Sequence, residues 1–399
     1  MRKNLNHKAQ QNALLKKKEF KSELRNLILQ LSGEEALSHF NENTLEELYL
    51  LRSRGVRLLK SPGLQMKPGT FEKARDVLYE LLHNKDETIA LKEGVHLNLY
   101  EYFNYGITLF AHSLLVENGT KKVSAEMQVI VNAWELLSFE DAHEEGMRRL
   151  DKIRAYLTLC FSDLTKQSYF FKPELLDSLN GENGIFYTIT VYSNKAETDH
   201  AIIEEQKRPI FKVGLPVWNN GVQMEYVFVS KHPKLIPYRP VYIQQHALIR
   251  LRERLDGIQD FILQGFVVSS LQNNKWETNS KGEHLIVFEL NSCKVGYLVM
   301  LEQADKWIVR TFLFLTNNGT PEGEALNRNV KIQKQDKIYL EIDKLSTYLN
   351  SDIQSKPELK KIFDEAGCQS LFCVKDFLQT DAFPQKKLSG FISRYLGLR

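Results

Sequence analysis

The sequence predicts an α+β fold in which helices come first and an antiparallel sheet follows. Apolar residues recur at helical spacing as far as about residue 178, as in the stretch 24–31. From Ile185 the chain becomes rich in β-branched and aromatic residues, which favour strands. Between residues 183 and 350 the predicted order is hairpin, helix, antiparallel strands and helix, which is typical of α+β proteins.

This order divides the chain into three predicted parts. Residues 1–180 are expected to form a helical domain, residues 181–350 an α+β domain, and residues 351–399 a short helical tail. A chain of 399 residues is long enough for two or three domains that each have their own core.

The first part is predicted to be a series of helices. One ends near Gly33, the next begins at Thr44 and carries an apolar pattern as far as Leu58, and another is capped by Thr70. Further helices are predicted over 86–116, 123–138 and 140–163.

The second part shows turn and strand signals. Asn219-Asn220-Gly221 predicts a hairpin turn between strands at 210–218 and 222–230, because glycine adopts positive φ at no steric cost. Thr320 before Pro321 predicts the start of a helix. Strands are also predicted over 265–271, 284–290, 294–301 and 307–315, and a helix over 335–350.

Composition excludes several classes of protein. The net charge of +3 is too small to indicate a general nucleic-acid binder, but it leaves a local basic patch open. Four cysteines without framework spacing suit a reducing compartment such as the cytoplasm. No apolar run reaches the roughly 20 residues of a membrane span. The sequence shows no motif for a cofactor and no cluster of metal ligands.

The stretch with the most candidate chemistry is 241–255, which begins like a strand and continues like a helix. His246, Arg250, Glu253 and Arg254 are spaced so that they share one helical face, while leucines mark a second face. We expect the leucine face to pack on the same sheet as the 210–230 hairpin. Such a polar face is either a functional surface or an exposed face whose arginines pair with nearby carboxylates.

This stretch resembles a known family. The run from Gln245 to Leu255 is similar to the HA-x2-R-x2-ER helix of small bacterial α+β domains related to the RelE and barnase–colicin-type ribonuclease toxins. The resemblance continues through Lys294-Val-Gly-Tyr-Leu-Val and Ile308-Val-Arg-Thr-Phe-Leu, and it covers about residues 240–320.

The resemblance implies metal-independent RNA cleavage. That reaction needs a base for the 2′-hydroxyl, an acid for the leaving oxygen, and cations near the phosphorane. His246 is the implied proton-transfer group, since imidazole exchanges protons near neutral pH. Arg250 and Arg254 would hold the phosphate. Glu253 either orients an arginine or is simply its ion-pair partner.

A late strand is expected to complete the site. Arg310 and Thr311 alternate across the strand at 307–315, so only one of them is expected to face the helix. Thr311 is the choice that the resemblance favours, whereas Arg310 is the better choice electrostatically.

Two functional hypotheses remain open from the sequence. The first is an RNA-binding protein or metal-independent endoribonuclease with His246, Arg250, Arg254 and Thr311 as catalytic residues, and with Glu253 and Arg310 as binding residues. The second is a non-catalytic interaction or accessory protein, for example of a bacterial mobile element. Its N-terminal helices would then contact a protein partner.

Overall fold

The computed structural model of the chain has two compact units. The first comprises residues 1–158 and 170–193, and the second comprises residues 159–169 and 194–399. Helices and sheets occur in both units, which confirms the predicted α+β class. The residues that the structure describes are 2–117, 139–179, 182–232, 234, 237–303, 305–350, 352–376, 392 and 395.

The elements up to residue 195 are mainly helical, with two small sheets. Helix α1 is interrupted at Gly33, whose φ of 81° is not helical. In chain order the elements are α1 (Arg2–Ser38), α2 (Glu42–Leu51), β1 (Val56–Lys60), α3 (Pro68–Leu82), β2 (Thr88–Lys92), β3 (Val95–Asn98), α4 (Leu99–Glu101), a π turn (Tyr102–Gly106), α5 (Ile107–Glu117), α6 (Phe139–Phe161), β4 (Gln167–Leu179) and β5 (Glu182–Lys195).

Three predicted helical stretches contain strands instead. The helix expected over 86–116 starts only after the β2–β3 hairpin, in which Ile89 and Leu91 are buried at a spacing of two residues. The predicted helix with apolar residues as far as Leu58 ends at Leu51, because Arg52 adopts a non-helical ψ of 147°. The chain then passes through Gly55, which has a φ of 66°, and becomes β1. Residues 167–178 belong to β4. The helix predicted over 123–138 lies outside the described residues.

The first unit contains a three-stranded sheet in the order β1-β5-β4. Strand β1 runs parallel to β5, with Val56 opposite Tyr187 and Lys60 opposite Val191. Residues Phe186 and Ile189 of β5 are fully buried, so this strand lies in the core of the unit.

The elements after residue 195 surround a larger sheet. They are β6 (Thr198–Ile203), β7 (Gln206–Lys212), β8 (Gly214–Trp218), β9 (Val222–Tyr226), β10 (Phe228–Val229), β11 (Arg239–Gln244), α7 (Gln245–Arg254), α8 (Asp260–Asn273), β12 (Trp276–Thr278), β13 (His284–Leu290), β14 (Cys293–Gln303), β15 (Lys306–Phe314), α9 (Pro321–Val330), α10 (Lys334–Tyr339), α11 (Leu345–Asn350), α12 (Pro357–Glu365) and α13 (Ser370–Cys373), with 3-10 turns at Ile353–Ser355 and Val374–Asp376.

The large sheet has the order β12-β13-β14-β15-β11-β7-β6, and β10 pairs with β11. Its pairs are antiparallel except for β11 and β15, which run parallel. One continuous apolar core joins the sheet to α7, α8 and the C-terminal helices. The strands predicted at 284–290, 294–301 and 307–315 are confirmed.

Local turn and cap signals in the second unit are also confirmed. Asn220 and Gly221 have φ values of 51° and 143° in the turn between β8 and β9. The hydroxyl of Thr320 caps α9 by accepting a hydrogen bond from the Gly323 N–H at 2.9 Å.

Other expectations for this region were wrong. Residues 265–271 form helix α8 rather than a strand, because Leu263, Val267 and Leu271 recur at helical spacing and bury one face. The 335–350 stretch is two short helices. The β8–β9 hairpin forms its own two-stranded sheet, whereas residues 210–212 and 228–229 of the predicted hairpin belong to β7 and β10 of the large sheet, on which α7 packs.

Candidate functional site

The predicted site lies where β11 continues directly into α7. Gln244 is the last residue of the strand and also the N-cap of the helix. Strand β11 is paired with β15 as far as Ile243 opposite Val309. Beyond that point α7 takes its place beside β15, with Leu248 and Leu251 buried in the core. The structure therefore brings together the helix and the strand that the resemblance requires.

His246 is exposed on the first turn of α7. Within the part of the chain that the structure describes, its ring has no hydrogen-bond or ion-pair partner. An imidazole that acts as a catalytic base is usually oriented by a second group. His246 is thus accessible to a ligand but is not held in one orientation by a neighbour.

Each arginine of α7 has a carboxylate partner. Arg250 Nη1 donates to Glu253 Oε2 at 2.5 Å, and Arg252 Nε lies 3.0 Å from Asp260 Oδ2. Arg254 Nη1 donates to Asp343 Oδ2. The positive charge that the sequence places on this helix is therefore largely balanced by acids.

The pair between Arg254 and Asp343 differs from the other two in burial. The side chain of Arg254 is 15% exposed and that of Asp343 is 1% exposed. Burial raises the pKa of the Asp343 carboxyl above its ordinary value, and the nearby Arg254 charge opposes this rise. Arg254 therefore compensates a charge in the interior of the second unit.

The β15 side of the predicted site departs from simple alternation. Val299 lies opposite Thr311 and Met300 lies opposite Val309, so a bulge leaves Arg310 without a partner on β14. The argument that only one of Arg310 and Thr311 can face the helix does not apply at such a bulge.

Arg310 is already engaged outside the predicted cluster. Its Nη2 donates to Glu283 Oε1 at 2.5 Å, and the same carboxylate accepts a hydrogen bond from Asn279 Nδ2 at 2.7 Å. Thr311 is half-buried. Among the predicted residues, side-chain contact therefore joins Arg250 to Glu253, while Arg254 and Arg310 each contact a residue elsewhere in the unit.

A histidine that the sequence interpretation did not include has a cationic neighbour. His284 Nδ1 lies 3.1 Å from Lys231 Nζ, and burial together with this ammonium group lowers the pKa of His284. The rings of Trp276 and Trp307 lie with their centroids 6.4 and 5.6 Å from the imidazole. Trp276, His284 and Trp307 come from three separate strands and Lys231 follows β10, so no local motif could have indicated the cluster.

The first unit contains a surface cavity that the sequence did not predict. It has a volume of about 340 Å³ and is lined by residues of β1, of α3 and of the end of β4. Seven lining residues are apolar or aromatic, two are arginines, and none is acidic: Val56, Arg57, Leu58, Leu59, Arg75, Leu78, Tyr79, Leu82 and Leu179. We call this cavity, together with the edge of β1, the β1–α3 groove.

The groove is lined by a strand that has an open edge. Strand β1 is the last strand of its sheet, and among the described residues no strand pairs with its outer edge. Successive side chains of a strand point to opposite faces. Four consecutive residues of β1, 56–59, line the cavity together with residues of α3 and with Leu179 at the end of β4.

No metal site or membrane span is visible in the described part of the chain. No three His, Cys, Asp or Glu side chains there are grouped as ligands for a metal ion. None of the helices there combines the length and the apolar character that crossing a bilayer would require.

Comparison with protein-family models, curated proteins and solved structures gives no match for this chain.

Proposed function

We propose that this chain is a non-catalytic interaction protein that binds an extended segment of a partner in the β1–α3 groove. The observation that supports this function is a mostly apolar cavity lined by β1, whose outer edge is unpaired among the described residues. Ligand pockets are typically several hundred Å³ in volume, mostly apolar, and carry a few placed polar groups. An open edge also supplies main-chain donors and acceptors for an added strand. Helix α3 belongs to the N-terminal region that the sequence suggested as a partner surface.

The α7 surface gives further support. Surface arginines that already have carboxylate partners provide little net attraction for phosphate, and Arg254 is needed to compensate Asp343. His246 has no neighbour that would orient it, in the part of the chain that the structure describes. These features fit a folded surface more closely than an assembled set of catalytic groups.

The backbone of β1 allows a specific test. The Ser61 N–H donates to the Val191 carbonyl at 3.1 Å, which points it towards β5. Because N–H groups alternate along a strand, the Leu58 N–H points away from β5 and towards the groove. Leu58→Pro would remove this donor and keep the hydrogen bonds to β5, because the lost N–H points away from β5. Proline is tolerated at such positions of edge strands.

The experiment selects peptides for binding to the whole chain. A displayed library of random nine-residue peptides is panned on the wild type, and binders are then compared on Leu58→Pro and Leu58→Ala. Leu58→Ala is the control, because it removes the same side chain but keeps the N–H. We expect binding to fall at least tenfold further with Leu58→Pro than with Leu58→Ala. Peptides that bind all three proteins equally would refute the groove as the binding site.

A second candidate function is RNA binding or metal-independent RNA cleavage. The observation in its favour is that α7 contacts β15 and exposes His246, with Arg250 one turn later. His246 would then transfer the proton and Arg250 would exchange Glu253 for a phosphate, since exposed ion pairs are weak.

This candidate is tested with purified protein, mixed RNA and excess chelator. Cleavage should persist in chelator, leave 2′,3′-cyclic phosphates, and fall by roughly 10²–10⁴-fold in His246→Ala, the usual contribution of positioned proton transfer. Folded wild-type protein that cleaves no RNA would leave the interaction function as the remaining proposal.

A further inference from the structure

The groove has charge as well as shape, and from this we infer the class of its ligand. We propose that the β1–α3 groove binds an acidic peptide as an added strand, in which apolar and acidic side chains alternate. This inference rests on the proposed interaction function, because it specifies the partner of the same groove.

The charge comes from cationic side chains on the strand. Arg57 is exposed, and its guanidinium lies 5.1 Å from the centroid of the Phe186 ring. Lys60 Nζ lies 4.5 Å from the centroid of the Phe71 ring. Among the described residues neither cation has a carboxylate partner. A ligand with carboxylates would supply the acceptors that these groups lack in their own unit.

A third cation is available at the helix side of the groove. Arg75 pairs with Glu72 on α3, and the two side chains are 58% and 49% exposed. Exposed pairs of this kind are weak and easily exchanged. No acid lines the cavity itself, so an incoming carboxylate meets Arg57 and Arg75 without a repelling charge in the lining.

The alternation follows from the two faces of β1. Lys60 contacts Phe71 of α3, so α3 lies on the face that Lys60 shares with Leu58. On that face the buried Leu78 and Leu82 of α3 form the wall. Arg57 points to the opposite face. In a strand paired with β1, residues beside Leu58 would meet apolar carbon and residues beside Arg57 would meet a guanidinium, while a residue beside Lys60, at the end of the Leu58 face, would meet an ammonium group.

An exposed aromatic residue supports a ligand at this place. Tyr79 on α3 lines the groove and is 57% exposed. Its ring lies 3.9 Å from the His83 ring and 6.0 Å from the Tyr100 ring, centroid to centroid. Aromatic side chains held by neighbouring rings are common anchors in binding surfaces, because little conformational freedom is lost on binding.

The test uses the peptide sequences enriched on the wild-type protein. We expect them to alternate apolar residues with Asp or Glu. A synthetic, fluorescently labelled peptide of the commonest sequence is then titrated by anisotropy, together with a matched peptide in which Gln or Asn replaces each acid. The amide peptide should bind at least tenfold more weakly, and the affinity of the acidic peptide should fall as salt is raised.

Charge reversal locates the contact. Arg57→Glu should weaken the acidic peptide at least tenfold, whereas Lys18→Glu, an equal charge change at an exposed residue of α1 outside the groove, should leave it unchanged. A peptide with Lys in place of its acids should bind Arg57→Glu better than it binds the wild type. Thermal melts of both variants verify that each is folded.

The outcomes distinguish a failure of the acidic-ligand inference from a failure of the proposed interaction function. Enriched peptides that are sensitive to Leu58→Pro but indifferent to Arg57→Glu and to salt would overturn the acidic ligand and leave the interaction function standing. If no enriched peptide is sensitive to Leu58→Pro, both are wrong. A wild-type dimer in sedimentation that dissociates with Leu58→Pro would identify a second copy of the chain as the occupant and would overturn the proposal.

Discussion

Replacing Arg254 by alanine should destabilise the second unit strongly. The variant leaves the Asp343 carboxylate, whose side chain is 1% exposed, without its ion-pair partner. Removing one member of a buried pair typically costs about 3–5 kcal/mol. Arg250→Ala is the matched control, because Arg250 and Glu253 are 42% and 47% exposed and such pairs contribute about 0–1 kcal/mol. Two arginines one turn apart should therefore differ severalfold in their effect on stability.

The loss of stability in Arg254→Ala should depend on pH in a definite direction. Burial already raises the pKa of Asp343 above its ordinary value, so the folded state releases this proton at higher pH than the unfolded state does. Stability from this group is therefore fully present at low pH and decreases as pH rises through the folded pKa. Without Arg254 that pKa should rise further, because the opposing charge is gone. The difference between variant and wild type should be larger at pH 7 than in acid.

The measurement is urea unfolding followed by tryptophan fluorescence at several pH values. Trp218, Trp276 and Trp307 all lie in the second unit, so the signal reports mainly on that unit. With a slope of about 3 kcal/mol per M, a loss of about 3 kcal/mol lowers the urea midpoint by about 1 M.

A double variant tests the cause. Replacing both partners with apolar residues, Arg254→Met with Asp343→Leu, should restore most of the stability, since it removes the isolated charge. Equal and small losses in the free energy of unfolding for Arg254→Ala and Arg250→Ala would refute the reasoning. Arg254 would then be a surface cation that is available to a ligand.

Three further predictions concern the same unit. Burial lowers the pKa of Lys337 to about 8, so the free energy of unfolding should rise by about 3 kcal/mol as the pH is raised from about 8 to about 10.5. Lys337→Met should abolish this rise in unfolding experiments. Gly323→Ala should cost about 3 kcal/mol in thermal melts, because its Cβ would lie 1.9 Å from the Asn317 carbonyl oxygen, whereas Gly265→Ala in α8 meets only ordinary contacts and should be neutral or stabilising. If α7 does bind RNA, Arg250→Ala should reduce the salt dependence of binding measured by filter retention; unchanged salt dependence would exclude this phosphate contact.

The sequence by itself determined much of the local structure. The turn at Asn219–Gly221 and the cap at Thr320 were predictable, because each depends on side chains and backbone angles within a few residues. The strands at 284–290 and 307–315 and the α+β class were also predictable from β-branched residues and alternation. The Phe-Val-Val run of α8 was misread as a strand, because short apolar runs suit both structures until the buried face is known.

Only the tertiary structure decided which of the polar residues are available. Helical spacing placed Arg250 and Arg254 on one face, but Asp343, 89 positions along the chain from Arg254, makes one of them internal. The bulge at Arg310 arises from the pairing of β15 with β14, which no alternation within β15 reveals. The β1–α3 groove joins Leu58, Leu78 and Leu179 from three separate elements. Periodicity is a local property of a chain, whereas burial, ion pairing and an open edge depend on residues that are distant in sequence.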